Sequence, residues 1–291
     1  MGIRKMLFVT EFEELWFDAL QSLMDLKKAG LNHVVFLHVI DRDEVAMQRG
    51  KGYLKDEEIK LKEIANVRFI DWAESLFEQG MEAGAHIVVG KFIPKTIDIA
   101  EDEGVDLIVT GYHKQGRVQE LYAGSQIMEI IRSTSKPVMV HKYMLDSGKI
   151  NEHPFEKPLL AVDWSPASKK AVKFIAGLKN VVKEVQVVHV ASEKSVKGDS
   201  AMDVQKIRKE SRQKMEEMCA ILRAEGIKAE EHLYIGNTAE QIEKAAHERQ
   251  ATMIVAGTSG RESLKEKFLG NVPRQLAEKS IYPTLFVPPD E

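Results

Sequence analysis

The stretch "TMIVAGTSGRESLKEKFLGN", residues 252–271, decides how the rest of the chain is read. It begins as a short continuous apolar run, the pattern of a strand buried on both faces, and leaves that run on Gly257. Gly260 follows three residues later, and Gly270 with Asn271 close the stretch after nine ordinary residues. Glycine loses more backbone freedom on folding than any other residue, so repeated glycine at a strand exit signals unusual dihedrals or a close approach to something.

The same stretch is written earlier in the chain as "DLIVTGYHKQGRVQELYAGS", residues 106–125. Gly111, Gly124 and Pro137 are spaced 13 and 13 residues apart, as are Gly257, Gly270 and Pro283. Working outward, "KMLFVTEFEE" (5–14) matches "KPLLAVDWSP" (157–166), and "VVFLHVID" (34–41) matches "VQVVHVAS" (185–192). "SKPVMVHK" (135–142) matches "IYPTLFVP" (281–288). The chain is therefore a tandem repeat, with expected domains at 1–146 and 154–291. Their join lies in the polar, Gly- and Pro-containing segment "LDSGKINEHPFEKP" (145–158), short enough to hold the units against each other.

Inside the second unit the apolar runs "PLLAVD", "VQVVHV", "AEEHLYIG", "TMIVAG" and "TLFVP" alternate with four helical patterns. In "DVQKIRKESRQKMEEMCAILRAEG" (203–226), Val204, Ile207, Met215, Met218 and Leu222 share one helix face, and Gly226 is the expected stop. Strands alternating with helices predict an α/β fold in which each repeat is a five-stranded parallel sheet with helices on both faces. In such sheets the ligand cleft lies at the carboxyl ends of the strands, where the winding reverses. The run 55–80 reads as a long solvated helix with Trp72 and Phe77 packed inward. The closing strands "PVMVH" and "TLFVP" are edges available for pairing between units or chains.

Composition narrows the function classes. At 291 residues, with 41 Lys+Arg against 45 Asp+Glu, the net charge of -4 argues against bulk electrostatic binding of nucleic acid. No apolar segment approaches the roughly 20 residues that span a bilayer, and the opening "MGIRKMLFVTEFEE" reads as a strand, so a cytoplasmic location is expected. Cys219 is the only cysteine, which excludes an internal disulfide and a cysteine-based metal knuckle. No metal site is written in the sequence.

A glycine, two residues, a glycine, nine residues, a glycine and a small polar residue resembles the nucleotide-binding motif of the universal stress protein family, filled here by Gly257, Gly260, Gly270 and Asn271. Asn271 stands where the family usually has Ser or Thr, and its amide can still donate to a phosphate. The resemblance extends along both repeats through the acid ending the first strand (Glu11, Asp163) and the "HV" ending the second. It implies a Rossmann-like fold of the adenine-nucleotide α-hydrolase kind, with strands one and four neighbours at the winding reversal. By that resemblance Asp163 approaches the adenosine, and the backbone at Val190 hydrogen-bonds the base.

Phosphate would meet the glycine loop and the N-terminus of the helix opened by Gly270, where Pro273 fits the first turn. Arg261 is either an added phosphate cation or a solvated loop residue. The first repeat is a degraded copy. It keeps Gly111, Gly124 and Ser125, with Glu11 and Val39 at the paired strand ends, but carries Lys114 at the second glycine position. Lys114 either disfavours the cradle, leaving a weak or empty site, or reaches inward as a point charge. His38 and His189, at one repeat position, read as structural hydrogen-bonders, and "SPAS" (165–168) as a helix cap.

The functional expectation is a stress-response protein binding ATP or a related adenine nucleotide (ADP, AMP), with magnesium arriving on a triphosphate. Binding would lie chiefly in 154–291, the repeats would form an intramolecular pseudo-dimer, and a homodimer is open. No general base stands over a phosphate, so rapid hydrolysis is not expected. Two alternatives are a nucleotide-free interaction scaffold of the same fold and an adenylating enzyme. The latter lacks the glycine- and serine-rich loop expected after strand one.

Overall fold

A computed structural model describes residues 2–10, 16–45, 54–111, 119–142, 151–191, 201–258 and 271–290. The first repeat runs β1 (Lys5–Val9), α1 (Trp16–Ser22), a 3-10 turn (Met24–Ala29), β2 (His33–Asp41), α2 (Arg42–Val45), α3 (Lys55–Glu78), β3 (Glu82–Gly90), α4 (Phe92–Asp102), β4 (Leu107–Gly111), α5 (Gln119–Ser133) and β5 (Val138–His141). The second runs β6 (Pro158–Ala161), α6 (Pro166–Ala176), β7 (Glu184–Ala191), α7 (Ala201–Ala224), β8 (Lys228–Ile235), α8 (Thr238–Glu248), β9 (Met253–Gly257), α9 (Asn271–Lys279) and β10 (Thr284–Val287).

Each repeat forms its five strands in parallel, with the first and fourth as neighbours: β3-β2-β1-β4-β5 and β8-β7-β6-β9-β10. The two sheets join into one of ten strands because β5 and β10 pair antiparallel, with Leu285 opposite Met139. This pairing covers the two closing edges, and every residue of both strands is buried. β3 and β8 remain as the outer edges.

Alternation along the strands divides the interior into two cores. Met6 and Phe8 face one side with Phe69 and Leu76 of α3, Ile175 of α6 and Met215 and Leu222 of α7. Leu7 and Val9 face the other, with Ile99 of α4, Ile130 of α5, Ile242 of α8 and Leu276 of α9. Both cores run through both repeats, so the halves share their apolar interior as well as their sheet.

Local chemistry sets the element ends. Ser165 caps α6, its hydroxyl accepting from the Ser168 amide at 3.1 Å, with Pro166 in the first turn. After α7, Gly226 takes a φ of 83° and the Ile227 amide donates back to Leu222 at 3.1 Å. Cys219 lies on the inner face of α7, where burial pushes its thiol up to about 11 and leaves it unreactive.

Two expectations need correction. Trp72 does pack inward, edge-on to Phe36 at 5.5 Å, but Phe77 is 63% exposed, because the buried line of α3 follows Ala65, Phe69 and Leu76. The join is less purely a connector than its polar composition suggested. Phe155 is buried in the core, Asn151 Nδ2 donates to the Thr252 carbonyl at 2.6 Å, and His153 Nδ1 lies 2.7 Å from Asp25 in the first repeat.

Two buried polar groups stand at the end of β5 and just after it, and the second ties the halves together. His141 sits 3.2 Å from the Ser22 hydroxyl, and complete burial pushes its imidazole down to about 4. Lys142 crosses to the second repeat and donates to the carbonyls of Leu276 (3.0 Å), Ala277 and Ser280 (3.0 Å), capping the C-terminus of α9. Burial lowers its ammonium to about 7.

Candidate functional site

In the second repeat the chain winds outward from β6 through β7 to β8 and then returns to β9 on the other side of β6. The carboxyl ends of β6 and β9 therefore diverge into helices on opposite faces, and a cleft of about 270 Å³ opens between them. Its walls are Ala161, Val162 and Asp163 after β6, Val188 to Val190 of β7, Thr238 and Ile242 of α8, Ala256 and Gly257 of β9, and Asn271 to Pro273 of α9.

Four of the expected residues, Asp163, Val190, Gly257 and Asn271, line this one cleft although 108 positions separate the first from the last. Gly260, Arg261 and Gly270 lie outside the described residues. In the first repeat, Val39 stands on β2 and Gly111 ends β4, while Gly124 and Ser125 fall within α5. Glu11 and Lys114 lie outside the described residues.

Gly257 illustrates which of the two glycine explanations applies. Its φ is not in the left-handed region that several other glycines adopt. Instead, a Cβ built there would stand 2.8 Å from the Ala167 Cβ and 2.9 Å from the Ser168 amide nitrogen. The first turn of α6 rests on the strand exit, so close backbone approach, not dihedral freedom, demands glycine at this position.

Asp163 is set by a tight turn. One carboxylate oxygen accepts from the Ser165 amide at 3.0 Å, and the intervening Trp164 takes a φ of 69°, which a bulky side chain rarely adopts. The Trp164 ring lies 4.6 Å from that of His189, and the Lys214 ammonium sits 5.7 Å from its centroid. His189 Nδ1 is 2.7 Å from the Val162 carbonyl. A carbonyl only accepts, so Nδ1 carries the hydrogen. His38 repeats the arrangement at 3.0 Å from the Thr10 carbonyl, as the structural reading of the repeated histidine expected.

The cleft combines three environments. Ala161, Val162, Val188, Val190, Ile242 and Ala256 give it an apolar wall suited to a flat ring. The Asp163 carboxylate offers acceptors to hydroxyl groups, and Asn271 begins a helix whose first amides have no intrahelical partner. Thr238 and Ile242 escaped the sequence reading. The signal for them was "GNT" after β8, where Gly236 turns at a φ of 142° and the Asn237 side chain accepts from the Glu240 amide to start α8 over the cleft. Trp164 and Lys142 carried no sequence signal.

Comparison with known proteins agrees with this geometry. The profile of the universal stress protein family matches the chain twice, over residues 2–142 and 154–288. The chain is 30% identical over 156 residues to universal stress protein MJ0577 of Methanocaldococcus jannaschii, spanning 48% of this chain and 94% of that protein. Against universal stress protein YxiE of Bacillus subtilis it is 29% identical over 146 residues, 46% of this chain and 99% of the relative. The crystal structure of a universal stress protein from Archaeoglobus fulgidus superposes on 100% of the chain and 98% of its own, with a TM-score of 0.74 at 20% identity, which establishes the two-repeat fold.

Proposed function

The chain belongs to the universal stress protein family, and on that premise we propose that it binds ATP or a related adenine nucleotide in the cleft of its second repeat, with a regulatory or protective output. The observation that carries the reading is the convergence of Asp163, Val190, Gly257 and Asn271 on one cleft at the winding reversal. The apolar wall suits the adenine ring, the Asp163 carboxylate the ribose hydroxyls, and the N-terminus of α9 the phosphates. Gly260, Gly270 and Arg261 would complete the phosphate side, and magnesium would enter with a triphosphate. With no helix long and apolar enough to cross a membrane among the described residues, the proposed setting is the cytoplasm.

The first repeat serves in this reading mainly as the structural half of an intramolecular pseudo-dimer, with lysine instead of glycine at position 114 expected to disfavour a phosphate cradle. One observation favours a second reading, the nucleotide-free scaffold. Gly257 is required by the approach of α6 whether or not a ligand is present. Titration calorimetry with MgATP separates the two. Saturable binding that falls at least about tenfold in Asp163→Ala, the loss expected for a buried charged hydrogen bond, supports the nucleotide site. Unchanged affinity in Asp163→Ala would remove the cleft from the account, and the absence of any heat would favour the scaffold.

A further inference from the structure

Toward the sheet, α3 buries Ala65, Phe69 and Leu76. On its other side Ile59 (45%), Ile64 (47%), Val67 (59%), Ile70 (49%) and Phe77 (63%) stand exposed. A helix lying on a sheet needs one apolar stripe, and α3 carries two. Its counterpart in the second repeat, α7, exposes one large apolar side chain among its described residues, Ile221. Descent from a common repeat therefore does not account for the second stripe, and apolar surface concentrated in this way marks a contact site.

The charges along the stripe say what covers it. Lys60, Glu63, Val67, Ile70, Glu74 and Phe77 follow one another at spacings of three and four, a single line along the helix. Lys60 lies toward its N-terminal end, exposed and 3.6 Å from Glu57 of its own helix, beside the first-turn acids Asp56, Glu57 and Glu58, whereas Glu74 and Glu78, also exposed, lie toward the C-terminal end. We propose that α3 is the surface through which two copies of this chain pair, the two helices running antiparallel and centred near Val67. A two-fold contact must be self-complementary. The antiparallel arrangement is, because it sets Lys60 of each copy against Glu74 of the other and brings Ile59 toward Phe77, with Val67 and Ile70 between. A parallel arrangement would set Glu74 against Glu74. The acidic C-terminal half also disfavours an anionic lipid surface as the occupant.

Within one helix Lys60 and Glu74 are roughly 21 Å apart at 1.5 Å per residue, so any coupling between them must cross between copies. Sedimentation equilibrium of the full chain tests this. The wild type should dimerise over the micromolar range, and Val67→Glu/Ile70→Glu should be monomeric with an unchanged circular dichroism spectrum. Lys60→Glu should weaken the dimer about tenfold, and Lys60→Glu/Glu74→Lys should restore it. A monomeric wild type, or a charge exchange that fails to restore pairing, would overturn the proposal. The nucleotide content of these variants should not change, since α3 lies outside the cleft, and this keeps the test independent of the nucleotide reading.

Discussion

At the scale of single residues, Gly257 and His141 carry the clearest consequences. Gly257→Ala places a methyl group against the backbone of α6, which cannot yield as a flexible side chain can. A loss of about 1–3 kcal/mol is expected in urea unfolding, together with weaker nucleotide binding as the strand exit shifts. His141 titrates near 4 when folded and near 6.5 when unfolded. Between those values the unfolded chain holds more protons, so the stability that His141 contributes is complete above pH 6.5 and is lost as pH falls through 4. The loss should reach about 3 kcal/mol, at roughly 1.4 kcal/mol per pH unit of difference. His141→Gln should flatten the stability profile across that window in denaturant titrations, and an unaltered profile would show that the imidazole is not held neutral.

At the scale of elements, the strands and helices of the second repeat follow their sequence patterns closely. Continuous apolar runs became the buried strands, and the line through Met215, Met218 and Leu222 became the inner face of α7. Part of the cleft was legible for the same reason, since Gly257, Asn271 and Asp163 stand at strand exits and helix starts that sequence marks directly. What was not legible depends on tertiary packing. Phe77 belongs to an apolar residue type, yet the helix rotation fixed by Phe69 and Leu76 turns it outward. Lys142 looks like an ordinary charge after a strand, and only the β5–β10 pairing carries it under the last turn of α9. That cap makes α9 depend on the first repeat. Lys142→Met should leave the α9 carbonyls without their donors, at a cost of about 1–3 kcal/mol, and should accelerate amide exchange in the last turn of α9 more than in α8.

At the scale of the whole molecule, the closing strands of the two repeats, which would be open edges in isolation, satisfy each other and make one sheet with two shared cores. The halves should therefore unfold in a single transition, and a calorimetric trace with two separate peaks would contradict this sharing. A duplicated fold of this kind would let one repeat keep a ligand cleft while the other turns to support and contact, and the proposed function divides the near-complete motif in 252–271 and the altered one in 106–125 in this way. The most direct test of that division is to purify the chain without added nucleotide, denature it, and quantify the adenine nucleotide released, beside the Gly260→Lys variant. One nucleotide per chain, lost in the variant, is the expected result. Two per chain, or retention of nucleotide in Gly260→Lys, would contradict a single site in the second repeat.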